Sequence, residues 1–156
     1  MEINLIADRK NIRRAKPGDE VQIINLIKEL AEYENALNEV VNTPEQLAID
    51  LFEDKICSCF VYENNLEIIG IAIYYISYST WKGRSLYLED MYIKEEFRRN
   101  GIGGLMFDVL VEEAKAIGAK RLDWQVLDWN NPAIDFYKKI GAELSQEWIS
   151  GRLRFD

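Results

Sequence analysis

Seven residues in the second half of the chain combine positive charge with backbone freedom. The segment RRNGIGG, residues 98–104, holds two arginines and three glycines and lies between a predicted strand and a predicted helix. The first N–H groups of a helix have no intrahelical acceptors, and the helix dipole adds positive charge at that end. Glycine lets the backbone take positive φ angles and approach a ligand closely. The segment is therefore suited to hold a pyrophosphate.

The spacing of the glycines differs from two familiar phosphate-binding motifs. A P-loop needs Gly-x4-Gly-Lys-Ser/Thr, and the dinucleotide fingerprint Gly-x-Gly-x-x-Gly is broken by Met106 at its last position. A flexible strand-to-helix turn without a ligand fits the same spacing, so the glycines alone leave both interpretations open.

Proton chemistry is restricted because the chain contains no histidine. Ser-His and Cys-His nucleophilic sites and the usual zinc sites are excluded, and we predict no metal. Any proton transfer must be carried out by Glu, Asp, Tyr, Lys or Cys.

The charge balance favours a small cationic partner. The 27 acidic and 19 basic residues give a formal net charge of −8. The resulting negative field opposes binding to nucleic acid or to an anionic membrane, and it would attract a cationic substrate.

The composition predicts a soluble cytoplasmic protein. No apolar run approaches about 18 residues, and the start MEINLIADRK lacks the basic-then-apolar order of a secretory signal. Cys57 and Cys59 stand two residues apart in a predicted strand, where their side chains diverge too far to bridge comfortably. Free thiols fit a reducing compartment.

The elements that position these residues follow from hydrophobic periodicity. Helices are predicted at 17–34, with Asp19 as cap, at 102–117 and at 131–140. A further short helix is predicted to begin at the capping box of residues 43–46. The apolar face of the first helix is predicted to consist of Val21, Ile24, Ile27, Leu30 and Ala31.

Strands are predicted between these helices. The predicted strands are one around Ile3 to Arg13, a hairpin of 56–63 and 66–78, then 84–94, 120–127, and final strands in 142–148 and 151–155. Alternation in the fourth strand places Leu86, Leu88, Asp90 and Tyr92 on one face. The order of elements predicts a single domain, residues 1–156, with a mixed α/β sheet covered by helices.

Four blocks of the sequence resemble one enzyme superfamily. RRNGIG is similar to the Arg/Gln-x-x-Gly-x-Gly/Ala segment with which GCN5-related N-acetyltransferases (GNAT) hold the pyrophosphate of acetyl-CoA. LIKELAEYE (26–34), GIAIYYISYSTWKGRSLYLEDMYI (70–93) and WNNPAIDFYKKIGA (129–142) resemble the diamine acetyltransferases, the spermidine/spermine and thialysine branch of that superfamily. The four blocks occur in the family's order.

The resemblance implies a fold and a cofactor site. The fold would be a mostly antiparallel sheet of six to seven strands with about four helices, splayed open where acetyl-CoA binds. The part of the strand that directly follows YLED would pair with the pantetheine arm, and one N–H group there would polarise the thioester carbonyl. The glycine loop would wrap the pyrophosphate. The implied cofactor-binding residues are Met91, Tyr92, Ile93, Arg98, Arg99, Asn100, Gly101, Ile102, Gly103, Gly104, Asn130, Pro132, Ala133 and Tyr137.

The resemblance also implies catalytic roles. Glu89 would act as the base that deprotonates the amine, through water, and Tyr137 as the acid that faces the thiolate. Without the resemblance, Glu89 fits a solvent-facing strand residue and Tyr137 a packed core residue equally well. The implied substrate-lining residues are Tyr33, Glu34, Trp81, Glu89 and Asp90.

The function implied is acetyl transfer from acetyl-CoA to a primary amine of a small cationic substrate, a polyamine or a thialysine-like or lysine-like amine, by direct attack in a ternary complex. Two alternatives remain: a protein or peptide N-acetyltransferase, and a non-catalytic acetyl-CoA sensor. Relatives in this branch form homodimers through their C-terminal strands, so a homodimer is expected.

Overall fold

Five strands form one sheet in a computed structural model that describes residues 4–156. The sheet follows chain order, and β1 to β4 are antiparallel whereas β5 runs parallel to β4. The strands are β1 (Ile12–Arg14), β2 (Ser58–Asn64), β3 (Glu67–Ser79), β4 (Gly83–Ile93) and β5 (Leu122–Asp123).

Four helices accompany the strands: α1 (Glu20–Tyr33), α2 (Pro44–Ala48), α3 (Ile102–Ala116) and α4 (Asn131–Lys139). The N-cap predicted for α2 is confirmed, because the Thr43 hydroxyl accepts a hydrogen bond from the Gln46 N–H at 3.2 Å. The capping box is incomplete, since the Gln46 side chain donates to Asp50 instead of returning to Thr43. None of the helices in the described residues is long and apolar enough to cross a membrane.

α1 packs on one face of the sheet through Ile23, Ile24 and Leu26. The predicted face is partly wrong, because Val21 is 54% exposed. Ile24 is buried and Ile27 and Leu30 pack against the core as predicted, whereas the buried Ile23 and Leu26 lie outside the predicted face. The sheet residues of the same apolar cluster are Cys59, Val61, Ile68, Ile71, Ile73 and Tyr92.

α3 packs against the other face, close to Gly70. A Cβ atom at Gly70 would lie 2.8 Å from Ile93 Cδ1, 3.1 Å from Met106 Sδ and 3.3 Å from Tyr62 Cβ. A larger residue would have to displace the side chains of Ile93 and Met106. Gly70 therefore allows the close helix–sheet approach that sets where α3 lies relative to the end of β4.

The predicted fold class, a mixed and mostly antiparallel α/β sheet with four helices, is confirmed. The predicted strand number is not, because the described residues contain five strands instead of six to seven. The first strand is limited to Ile12–Arg14, and Ile3 lies outside the described residues. Residues 142–156 form no strand, since their alternating apolar residues have no neighbouring strand to pair with in the described chain.

The chain divides into two compact units, one ending at Asp123 and the other beginning at Trp124. The first unit contains the whole sheet and α1 to α3, and the second contains α4 and the C-terminal residues. Whether the two behave as the single domain that the sequence predicts stays a prediction.

Candidate active site

The glycine loop joins β4 to α3 through two left-handed residues. After β4 the chain makes a short 3-10 turn, Glu95–Phe97, and then passes Arg99 at φ 66° and Gly101 at φ 84° before α3 begins. A left-handed conformation is easy for glycine but costs energy for arginine, and such strain clusters at ligand sites. The Asn100 side chain braces the loop by donating to the Phe97 carbonyl at 2.9 Å.

The N-terminus of α3 presents free backbone donors to open space. The first intrahelical bond runs from the Leu105 N–H to the Gly101 carbonyl, so the N–H groups of Ile102, Gly103 and Gly104 have no acceptor within the helix. A Cβ built at Gly103 or Gly104 meets no atom of the described chain within 4 Å. This cradle fits an anionic pyrophosphate in charge and in available space.

β4 carries a β-bulge at Glu89. The pairing of β3 with β4 joins Ile73 to Asp90 and Tyr74 to Leu88, so Glu89 has no partner residue in β3. A bulge adds one residue to a strand and changes the direction of its side chains. The exposed Glu89 side chain thus stands at an irregularity of the strand, which is common beside active sites.

The bulge also corrects the predicted faces of β4. Alternation placed Leu86, Leu88, Asp90 and Tyr92 together, but the extra residue shifts the alternation by one position. Leu86 and Leu88 therefore lie on the face opposite to Asp90 and Tyr92.

β4 has an uncovered edge beyond the bulge. β5 pairs with β4 at two positions, Leu86 with Leu122 and Tyr87 with Asp123. From residue 88 to residue 93, no strand of the described chain pairs with this edge of β4. The sheet opens here, and the backbone of Met91, Tyr92 and Ile93 lies on a strand edge that can pair with an extended ligand.

Carboxylates and tyrosines gather around the bulge. Burial, followed by the charges of Glu89 and Glu34, raises the pKa of Asp90 to about 6. Burial also raises the pKa of Glu34. Three carboxyl groups from α1 and β4 therefore share one electrostatic environment, as expected for a site that takes a cation.

Tyr75 and Tyr87 belong to this environment, although sequence reasoning missed them. They are cross-strand partners whose ring centroids are 5.2 Å apart. Burial, followed by the charge of Glu89, raises the pKa of both phenols. Their position on paired strands of an aromatic-rich hairpin was the signal that could have found them.

The other predicted substrate residues occupy different places. Tyr33 is the last residue of α1, and its ring faces the Arg98 guanidinium at 5.8 Å. Trp81 lies in the turn between β3 and β4 and is 87% exposed. About six strand residues separate it from Glu89, roughly 20 Å along the strand. Within the described chain, Trp81 is therefore not brought to the bulge.

The second unit holds the remaining predicted residues. Asn130 caps α4 by accepting a hydrogen bond from the Ala133 N–H at 3.4 Å, and Pro132 lies in the first turn. Tyr137 is buried on α4, with its ring 4.8 Å from that of Trp124 and 5.5 Å from that of Phe136. The aromatic packing fixes the orientation of the Tyr137 ring.

Comparison with known proteins gives consistent matches. The model of a family described as "Acetyltransferase (GNAT) family" matches residues 24–142. A thialysine N-epsilon-acetyltransferase from Bos taurus is 43% identical over 141 residues, 85% of this chain and 83% of that protein. A human spermidine/spermine N(1)-acetyltransferase-like protein 1 is 36% identical over 149 residues, 90% of this chain and 21% of that protein.

A similar fold is found among solved structures. An integron cassette protein from the mobile metagenome of V. cholerae matches with a TM-score of 0.74 at 25% identity, covering 92% of this chain and 91% of that one.

Proposed function

The chain belongs to the acetyltransferase (GNAT) family, and on that premise we propose that it acetylates a primary amine of a small cationic substrate, with acetyl-CoA as the acetyl donor. It is an N-acetyltransferase by its family and by the names of its relatives. A thialysine-like or lysine-like amine and a polyamine are the substrates we propose. The observation that carries the proposal is the junction of β4 and α3, where a bulged acidic strand leads into an open, glycine-lined helix N-terminus.

Acetyl-CoA would be held by backbone groups more than by side chains. Residues 98–104 would surround the pyrophosphate, since their N–H groups and the Arg99 guanidinium would complement its charge. Met91, Tyr92 and Ile93 would pair with the pantetheine arm along the uncovered edge of β4, and one N–H there would stabilise negative charge on the carbonyl oxygen. Asn130, Pro132 and Ala133 are proposed contacts from the second unit, based on the resemblance. The cofactor supplies the acetyl group as a thioester.

The reaction requires two proton movements. Glu89 would accept a proton from the substrate ammonium, through water, so that the neutral amine can attack in a ternary complex. Tyr137 would give its phenolic proton to the departing thiolate. Glu34, Asp90 and Tyr33 would hold the cationic substrate through carboxylate charge and an aromatic ring. The proposed role of Trp81 depends on the resemblance alone.

We also propose a cytoplasmic homodimer. Both cysteines are free thiols, which suits a reducing compartment. The C-terminal residues expose large apolar side chains that a second copy could cover, as the resemblance implies. These residues are Trp148, Ile149, Leu153 and Phe155.

The proposed function is tested by calorimetry and an amine panel. CoA should bind the purified protein, and CoA release from acetyl-CoA should be followed with spermidine, spermine, putrescine, thialysine, lysine and short peptides. We expect turnover with at least one small diamine or thialysine and little with peptides. Tight CoA binding with no turnover would instead indicate a sensor, turnover of peptides alone a protein acetyltransferase, and absence of CoA binding would refute all three.

The proton roles predict two separable variants. Glu89→Gln should lower kcat/KM for the amine about 100- to 10,000-fold, because a general base contributes that much, while the Kd of CoA stays within about twofold. Tyr137→Phe should lower kcat by roughly 10- to 1000-fold. Glu147→Gln, at an exposed position, is the control and should keep wild-type rates. A variant that retains full activity removes its residue from the mechanism.

A further inference from the structure

The Arg98 side chain points to two tyrosines. Its Nε donates to the carbonyl of Ile93, the last residue of β4, at 2.9 Å. Its guanidinium carbon lies 5.1 Å from the ring centroid of Tyr92 and 5.8 Å from that of Tyr33. Both distances are within the range of a cation–π contact. Arg98 thus connects the end of β4 to the last residue of α1.

This connection lies at the end of α1, beyond the fully buried residues of the helix. The fully buried residues of α1, Ile23, Ile24 and Leu26, all lie in its first half. Lys94, which follows β4, has its Nζ 3.0 Å from a Glu67 carboxylate oxygen and 4.0 Å from one of Glu29, in the second half of α1. The final turn of α1 meets the end of β4 through the ring of Tyr33 and Arg98. The C-terminal part of α1 is therefore held by the partly buried Ile27 and Leu30 and, at its end, by cationic side chains from the β4–α3 connection.

The position of that turn matters for the carboxylates. Glu34 directly follows Tyr33, and its charge acts on Asp90 across the gap between α1 and β4. A movement of the turn would change the separation of Glu34 from Asp90. Because Coulomb energy depends on that separation, a bound ammonium would be held less well.

We propose that Arg98 is a positioning residue for the amine: its side chain fixes the end of α1 against β4 and so sets the spacing of the carboxylates that receive the substrate. This inference rests on the proposed function. It gives the two neighbouring arginine side chains different roles, because the Arg98 backbone starts the glycine loop while the Arg98 side chain is directed to the tyrosines. Arg99, whose backbone is left-handed, stays in the proposed pyrophosphate site.

The kinetic test compares the same conservative change at adjacent positions. Arg98→Lys keeps the charge but loses the Nε donor and the planar group that stacks on rings. We expect it to raise KM for the best amine of the panel about 5- to 20-fold and KM for acetyl-CoA less than threefold. Arg99→Lys, the matched control, should show the reverse pattern. If Arg98→Lys, like Arg99→Lys, left KM for the amine unchanged, the proposal would be overturned.

A double-mutant cycle addresses the contact itself. Tyr33→Leu removes the ring that Arg98 faces, so its effect on the amine KM should be smaller in the Arg98→Lys background than in the wild type. Fully additive effects would show that the two residues act independently and would overturn the proposal.

A third measurement does not depend on turnover. Native-state hydrogen exchange of the amides of residues 30–36 should be about three- to tenfold faster in Arg98→Lys than in the wild type and unchanged in Arg99→Lys. If the wild type acetylates no amine, the proposed function fails, yet the exchange still decides whether Arg98 holds this turn. Equal exchange in both variants would overturn the positioning role.

Discussion

Glu89 and Asp90 are neighbours in sequence with different surroundings. Glu89 is the bulge residue and its side chain is exposed, whereas the Asp90 side chain points to the face covered by α1. Burial and two nearby carboxylates raise the pKa of Asp90 to about 6. Adjacent carboxyl groups with different environments can take different roles, and here the exposed one suits proton transfer and the enclosed one suits binding of a cation.

The raised pKa of Asp90 predicts a pH-dependent cost in stability. The folded state holds the Asp90 proton more tightly than the unfolded state, whose value is near 3.8, so stability falls as pH rises from about 4 to about 6. Asp90→Asn removes this cost. We expect the variant to gain about 1–3 kcal/mol in free energy of unfolding relative to the wild type above about pH 6, and little below about pH 4.

Denaturant unfolding between pH 4 and pH 8 measures the effect. Asp108→Asn, at an exposed position on α3, is the matched control and should change the free energy of unfolding by no more than about 0.5 kcal/mol. A constant difference between wild type and Asp90→Asn across this range would contradict the assigned environment. In the wild type, amine affinity should rise as pH increases through about 6, because the ionised carboxylate attracts an ammonium.

At the scale of elements, the site depends on how α3 meets the sheet. Gly70 provides the close approach beneath Met106, and Gly101 starts the helix in a left-handed conformation. Gly103 and Gly104 lie in the first turn, where a side chain would meet no atom of the described chain. The glycines near this junction therefore have two purposes: one permits packing, and the others leave space beside the helix N-terminus.

These two roles of glycine predict that a glycine-to-alanine substitution changes the free energy of unfolding in opposite directions at Gly70 and Gly103. Gly70→Ala should lower the free energy of unfolding by about 1–3 kcal/mol, because the new methyl group overlaps Ile93 and Met106. Gly103→Ala should raise it by about 0.5–1 kcal/mol, since alanine favours the helix, while weakening CoA binding. Thermal unfolding and calorimetry with CoA measure both. Unchanged CoA affinity in Gly103→Ala would argue against a pyrophosphate at this helix end.

At the scale of the whole molecule, apolar residues outside the sheet need a partner. The exposed side chains after α4, Trp148 and Phe155 among them, have the alternation of strand residues but pair with nothing in the described chain. A strand needs a neighbour for its backbone hydrogen bonds. A second copy of the chain is the neighbour that the resemblance implies.

The homodimer is predicted to be visible by light scattering. A chain of 18.2 kDa should give about twice that mass at micromolar concentration. Trp148→Glu should shift the population towards the monomer, because a charge in an apolar interface is costly. Tyr78→Glu, in the exposed part of the β3–β4 hairpin, is the control and should leave the mass unchanged. A monomeric wild type would contradict the prediction.

The helices and the long strands could be predicted from the sequence because their signals are local. The Thr43 cap depends on neighbouring residues and lies where it was predicted, whereas the hairpin turn lies at Asn65 and Leu66, one residue later than the gap between the predicted strands. A strand was predicted at 120–127, but the short extent of β5 and the absence of strands after α4 in the described residues could not be predicted, because a strand forms only where a distant segment pairs with it. The bulge was missed for the same reason: it is defined by the register between two strands.

The sequence alone determined the chemistry available to this protein. The lack of histidine limited proton transfer to Glu, Asp, Tyr, Lys or Cys, the acidic composition predicted a cationic partner, and the glycine loop ahead of a helix predicted a turn suited to a phosphate. The tertiary structure decided which groups lie near one another. The bulge at Glu89 shifted the side-chain alternation of β4 by one residue. Folding buried Asp90 within reach of the Glu34 charge and brought the Arg98 guanidinium over the Tyr33 ring. Residue type sets what a group can do, whereas pKa, exposure and partners depend on segments that meet only after folding.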